Sequence, residues 1–106
     1  MVPDPIRIRA RVRDDVTEVH VLMPHPMETG FRLDEAGHPV TAHYITDVRI
    51  TVADRPILGA TLSRAVSEDP LLFFRFKGGR AGQTITVAWT DTRGERRVDE
   101  AVILAM

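Results

Sequence analysis

The chain has 106 residues, a length that suits one ordinary domain, and its 43% hydrophobic and 27% charged residues are typical of a folded globular protein. A formal net charge of −1 leaves no overall positive field to attract nucleic acid or an anionic membrane, and the absence of cysteine excludes disulfides and thiolate chemistry. We therefore expect a single domain over residues 1–106 that binds neither nucleic acid nor membrane.

The first two predicted strands show apolar and polar residues alternating with a period of two, the pattern of half-buried strands. They span Ile6–Arg13 and Val16–Met23, separated by an Asp14-Asp15 turn. One face of the first strand carries four arginines, Arg7, Arg9, Arg11 and Arg13. This row has two compatible interpretations: an edge strand protected by charge, or a surface that docks an acidic partner.

An irregular segment follows these strands. Pro24 and Pro26 remove backbone donors, and roughly 18 residues pass without periodicity, which is long for a loop in a compact domain. Such loops are often functional. The apolar side chains of Met23, Met27 and Phe31 therefore have two possible roles, contact with a partner or capping of one end of the core.

Alternation resumes after the irregular segment and indicates five more strands. They cover Ile45–Val52, Ile57–Leu62, Leu72–Lys77, Thr84–Asp91 and Arg97–Leu104. Trp89, Phe74 and Phe76 are expected to be the largest buried side chains of the core. About seven short strands, separated by turns and without a helix, predict an all-β fold, an immunoglobulin-like antiparallel β-sandwich.

The four histidines of the chain raise the question of a metal site. Their spacing matches no standard metal-binding pattern. A small metal-binding protein or enzyme using His25, Glu28, His38 and His43 remains an alternative hypothesis. Isolated histidines beside prolines are usually solvated or satisfied within their own loop, so we expect no metal, no cofactor and no catalytic residue.

Several motifs, in the same order along the chain, resemble the SoxZ family. They are His25–Asp34, Pro39–Ile45, Ala65–Leu71, Phe74–Gly78, Val87–Asp91 and Thr92–Glu95, with Asp99-Glu100 following. The similarity spans nearly the whole chain. It is weaker at Thr61–Ser67, where the family has an aromatic residue and lysines that this chain lacks.

The resemblance implies a non-catalytic subunit of the SoxYZ sulfur carrier in thiosulfate oxidation. Such a subunit forms a heterodimer with a SoxY-type subunit, whose cysteine-bearing arm carries the sulfur intermediate to other Sox enzymes. It also implies a periplasmic location: no secretory leader is recognisable in this sequence, and the family is exported together with its partner.

We predict, from the character of the irregular segment, that His25, Met27, Phe31 and Tyr44 contribute to partner binding. An obligate interface is large and apolar, so the isolated chain is expected to self-associate. A further alternative is a carrier subunit of a related system linked to quinoprotein dehydrogenases.

Overall fold

Eight β-strands make up the computed structural model, which describes residues 3–106. They are β1 (Arg7–Arg13), β2 (Val16–Leu22), β3 (Ile45–Val52), β4 (Arg55–Thr61), β5 (Leu71–Lys77), β6 (Thr84–Asp91), β7 (Arg96–Val102) and β8 (Leu104–Ala105). Residues 3–106 contain no helix, and hence none long and apolar enough to cross a membrane. The all-β prediction is confirmed, with strand bounds within one or two residues of those expected.

The strands form two four-stranded sheets, ordered β5-β2-β1-β8 and β4-β3-β6-β7. All neighbours pair antiparallel except β1 and β8, which pair parallel at Arg11 and Val12 only. The predicted immunoglobulin-like sandwich is confirmed. The edge position expected for β1 is wrong as stated, because β8 lies outside it, although β8 covers only the last part of β1.

The extra strand arises at Ile103, where the last predicted strand divides. The side chain of Ile103 is fully buried, while its N–H donates to the carbonyl of Gln83 and its carbonyl accepts from Gly82. The backbone at Ile103 is thus tied to the β5–β6 loop instead of a ladder. The chain leaves the second sheet at Val102 and joins the first sheet at Leu104.

The core is built from the inward residues that the alternation predicts. In the pairing of β3 with β6, Val48 lies opposite Trp89, and Ile50 lies opposite Val87. All four are at most 1% exposed. Burying each such aliphatic side chain stabilises the fold by about 1.5–3 kcal/mol. Phe74 and Phe76 are only partly buried and pack against the rim of this core.

The connection from β2 to β3 is irregular, as predicted, and it forms one end of the sandwich. Two isolated bridges hold it, between Glu28 and His43 and between Leu33 and Pro39. The N–H of Met23 also donates to the carbonyl of Pro70, which ties the start of the connection to the residue before β5. These contacts hold the β2–β3 connection, which carries His25, Met27 and Phe31, at one end of the molecule.

Candidate functional site

The four residues predicted to bind a partner divide into two pairs. His25 and Met27 are buried, at 5% and 4% exposure, whereas Phe31 is 73% exposed and Tyr44 is half-buried. Met27 and Met23 therefore fill the end of the core, which is the capping role. Phe31 takes no part in the cap and remains available for contact. Partner binding by all four stays a prediction.

His25 fixes the loop to the rest of the molecule through its backbone and its ring. Its N–H donates to Asp69 Oδ1 at 2.9 Å, and its carbonyl accepts from the N–H of Asp69 at 3.0 Å. The ring packs edge-on against Trp89, with centroids 5.1 Å apart and planes at 88°. His25 therefore anchors the proline-rich loop onto the core.

Two histidines and one aspartate form a histidine cluster, which consists of His25, His43 and Asp91. Nε2 of His25 donates to Asp91 Oδ2 at 3.0 Å, and Nε2 of His43 donates to the same oxygen at 2.7 Å. The second carboxylate oxygen accepts the N–H groups of Arg93 and Glu95, both at 2.9 Å. Asp91 thus accepts four hydrogen bonds while its side chain is fully buried.

The ionisation of Asp91 follows from these contacts. Burial alone would raise the pKa of Asp91, but the hydrogen bonds from His25, His43 and the two backbone N–H groups lower it below its usual value. The carboxylate is therefore charged and its acceptor positions are occupied. Such a group holds the β6–β7 turn and the loop together; it is not free to take a proton from a substrate.

The protonation of His25 bears on metal binding. The N–H of Met27 donates to Nδ1 of His25 at 3.0 Å. The proton of the neutral ring therefore lies on Nε2, and this N–H donates a hydrogen bond to Asp91. The nitrogens and the carboxylate oxygen of the histidine cluster lie within 4.8 Å of one another, as in a metal site. A metal ion at Nε2 of His25 would nevertheless have to displace that proton.

The structure brings together only part of the metal set considered from the sequence. His25 and His43 meet, with ring centroids 4.6 Å apart. Glu28 instead pairs with Arg32 at 2.7 Å, and exposed His38 closes a turn through its N–H to Asp34. Sequence reasoning missed Asp91, although its position in an Asp-Thr-Arg-Gly-Glu turn indicated an occupied side chain.

A cavity of about 530 Å³ opens beside the histidine cluster. Carboxylates dominate the charged groups of its lining, which are Asp4, Glu68, Asp69, Glu95 and a single arginine, Arg93. Because like charges repel, this cavity disfavours an anionic group such as a sulfonate.

A mixed aromatic and cationic patch forms where Arg64 of the β4–β5 connection packs on the β2–β3 connection, and we call it the loop patch. It consists of Phe31, Leu33, Tyr44 and Arg64. The guanidinium carbon of Arg64 lies 5.1 Å from the Phe31 ring centroid and 5.8 Å from that of Tyr44. Leu33 is 60% exposed. Stacking on Arg64 orders the exposed Phe31 ring, which reduces the entropy that binding would cost.

Comparison with a family model identifies the chain at the level of sequence. The model described as "Sulphur oxidation protein SoxZ" matches residues 6–102. No curated protein is significantly similar to the chain in sequence.

Comparison with solved structures supports the fold. A superoxide reductase (neelaredoxin) from Ignicoccus hospitalis aligns with a TM-score of 0.68 at 15% identity, covering 98% of this chain and 82% of that one. A hypothetical protein from Pyrococcus horikoshii aligns with a TM-score of 0.67 at 14% identity, covering 94% and 88%. A mutant superoxide reductase (neelaredoxin) from Archaeoglobus fulgidus, in the reduced form, gives 0.61 at 21% identity, covering 99% and 92%. At such identities the likeness concerns the fold alone.

Proposed function

Since the chain belongs to the SoxZ family of sulphur oxidation proteins, we propose that it is the non-catalytic subunit of a sulfur carrier complex. In this role it binds a SoxY-type subunit and holds that subunit's cysteine-bearing arm within reach of the other Sox enzymes. The proposal includes a periplasmic location, reached by export with the partner. Thiosulfate is the proposed source of the carried sulfur.

The observation that carries the proposal is the absence of cysteine from the 106 residues. A covalent sulfur adduct needs a thiolate, which these 106 residues do not supply, and the proposal assigns it to the SoxY-type subunit. The acid and base groups that the fold does bring together, in the histidine cluster, are committed to one another and to the backbone. Holding and displaying the reactive group of a partner is the role that remains.

We propose the loop patch as part of the surface that contacts the SoxY-type subunit. Phe31 and Leu33 expose apolar area, and Arg64 and Tyr44 supply the residue types that dominate binding energy at interfaces. His25 and Met27 contribute indirectly, because their burial fixes the loop on which Phe31 stands.

Binding measurements with the purified SoxY-type subunit test the proposal. The wild-type chain should form a 1:1 complex by size-exclusion chromatography with light scattering. A Phe31→Ser variant should bind at least tenfold more weakly, equivalent to about 1.4 kcal/mol. The matched control is Val98→Ser, which removes an exposed apolar side chain from β7, the edge strand of the second sheet.

Three results would count against the proposal. A wild-type chain that stays separate from the SoxY-type subunit removes the carrier role. Equal losses in both serine variants, or none in Phe31→Ser, remove the loop patch from the interface. Oxidation of thiosulfate by the pure chain alone would show that it is an enzyme.

A further inference from the structure

The outer side of the first sheet carries a surface that the proposed function does not use, and we call it the arginine face. It consists of the outward side chains of β1, β2 and β5, with Leu104 and Met106 at one margin. The register places Arg9 beside His20, and His20 beside Phe73. The arginines of β1 therefore form a row beside β2, at intervals of about 7 Å, and β8 flanks this row only at Arg11.

Most of the positive charge on the arginine face is unpaired. Within residues 3–106, no carboxylate lies within ion-pair distance of Lys77 or of the four β1 arginines, Arg7, Arg9, Arg11 and Arg13. Arg75 pairs with Glu18 at 2.9 Å. Because the chain has a formal net charge of −1, five unpaired cations here leave a net charge of −6 for the rest of it. The net charge of this face is therefore opposite in sign to that of the rest of the chain.

The arginine face also gathers exposed apolar area. Nine large apolar side chains are exposed in residues 3–106, and five of them belong to this face: Val16, Leu71, Phe73, Leu104 and Met106. The Phe73 ring lies 4.6 Å from the His20 ring, and the Arg75 guanidinium lies 5.7 Å from the Phe73 centroid. Phe73 is thus held in place before any partner arrives.

From this arrangement we propose that the arginine face is a docking surface for a second protein, whose own surface is acidic around apolar contacts. The inference rests on the proposed carrier function, in which several enzymes must meet the complex in turn. Unpaired cations steer an acidic partner and speed its association, and they match carboxylates through bidentate guanidinium contacts.

The charge pattern separates this partner from the SoxY-type subunit. The centre of an obligate interface is depleted of charged residues, whereas this face carries five unpaired cations, Lys77 and the four β1 arginines. It also favours a protein over an anionic membrane. A membrane-bound surface inserts a continuous apolar area beneath a basic rim, whereas here the arginine row separates Leu71 and Phe73 on β5 from Leu104 and Met106, which lie beside Arg11 and Val12.

The test uses the assembled heterodimer in the reconstituted thiosulfate-oxidising system. The variant R7Q/R9Q/R11Q removes three charges from the face. The control R49Q/R55Q/R96Q removes three exposed arginines from strands of the second sheet. At low salt, the apparent KM for the heterodimer should rise about tenfold in the first variant, with kcat unchanged, and stay at the wild-type value in the control. Raising the salt concentration should increase the apparent KM for the wild-type heterodimer toward that for the variant.

Each other outcome overturns this proposal in a recognisable way. Equal KM values for both variants at every salt concentration remove the arginine face from docking, while the carrier function stands. Failure of R7Q/R9Q/R11Q to assemble, with the control assembling, assigns the face to the SoxY-type subunit. If the wild type binds phosphatidylglycerol vesicles and the KM for R7Q/R9Q/R11Q equals that for the wild type, the arginine face is assigned to a membrane. A wild-type chain that never assembles is a failure of the carrier function itself.

Discussion

The loop end of the sandwich and the arginine face both concentrate ionisable side chains, but they treat them in opposite ways. At the loop end, the carboxylate of Asp91 is buried and accepts hydrogen bonds from two histidines and two backbone N–H groups. On the arginine face, Lys77 and the four β1 arginines stand exposed with no ion-pair partner among residues 3–106. The comparison teaches that a buried carboxylate with all its hydrogen bonds made holds the loop end together, whereas the exposed, unpaired cations are the groups that we propose for partner recognition.

The largest loss of stability should come from substituting Trp89, which packs against His25 of the histidine cluster. Trp89→Ala removes a fully buried indole that packs against His25, and it should lower the free energy of unfolding by about 3–5 kcal/mol. Urea unfolding followed by far-ultraviolet circular dichroism measures this. Trp89→Phe should cost less, because it keeps a ring and removes a buried N–H that has no acceptor in residues 3–106. An unchanged midpoint in the alanine variant would contradict the assignment of Trp89 to the core.

A smaller loss is expected from the cluster itself. Asp91→Asn should cost about 2 kcal/mol at neutral pH, because the charge-assisted bonds to His25 and His43 weaken. Folding lowers the pKa of Asp91, so its ionised form adds stability that is present above the unfolded pKa and is lost as pH falls through the folded pKa. The difference between wild type and variant should therefore shrink below about pH 4. A difference that is constant between neutral and acid pH would refute this role.

Substitution on the arginine face should barely affect folding. Arg9→Gln with Arg11→Gln should change the free energy of unfolding by less than about 0.5 kcal/mol, since neither residue has an ion-pair partner in residues 3–106. The control is Arg97→Gln, which breaks the pair of Arg97 with Asp99 at 2.7 Å and should destabilise the fold more than the double variant does. A larger loss of stability in the Arg9→Gln/Arg11→Gln double variant than in Arg97→Gln would contradict this expectation.

The smallest expected effect is the change in melting temperature when zinc is added. Zinc bound at a hundredfold excess over its dissociation constant would stabilise the protein by about 2.7 kcal/mol and raise the melting temperature by roughly 10 °C. We expect no shift, because Nε2 of His25 already carries a proton that it donates to Asp91. Thermal scans with and without zinc, and with His43→Ala as a control, measure this. A rise that His43→Ala abolishes would establish a metal site.

The sequence predicts the strands better than it predicts the site, and the reason is physical. Alternation at Val48, Ile50 and Val52 reports which face of a strand is buried, because it is a local property of neighbouring residues. The division at Ile103 was missed because the surrounding run, Ala101 to Met106, is apolar without alternation. The hydrogen bonds from His25 and His43 to Asp91 join residues 66 and 48 positions apart, and they form only when the β2–β3 connection packs against the end of β6.

The crossing at Ile103 has a consequence for how the molecule comes apart. The buried side chain of Ile103 separates β7, the edge strand of the second sheet, from β8, the edge strand of the first. After β8, the N–H of Met106 donates to the carbonyl of Val12. Tension applied at the C-terminus would therefore peel Leu104–Ala105 away from β1 before it reached β7. The margin of the arginine face would open first, while the core behind Ile103 stayed closed.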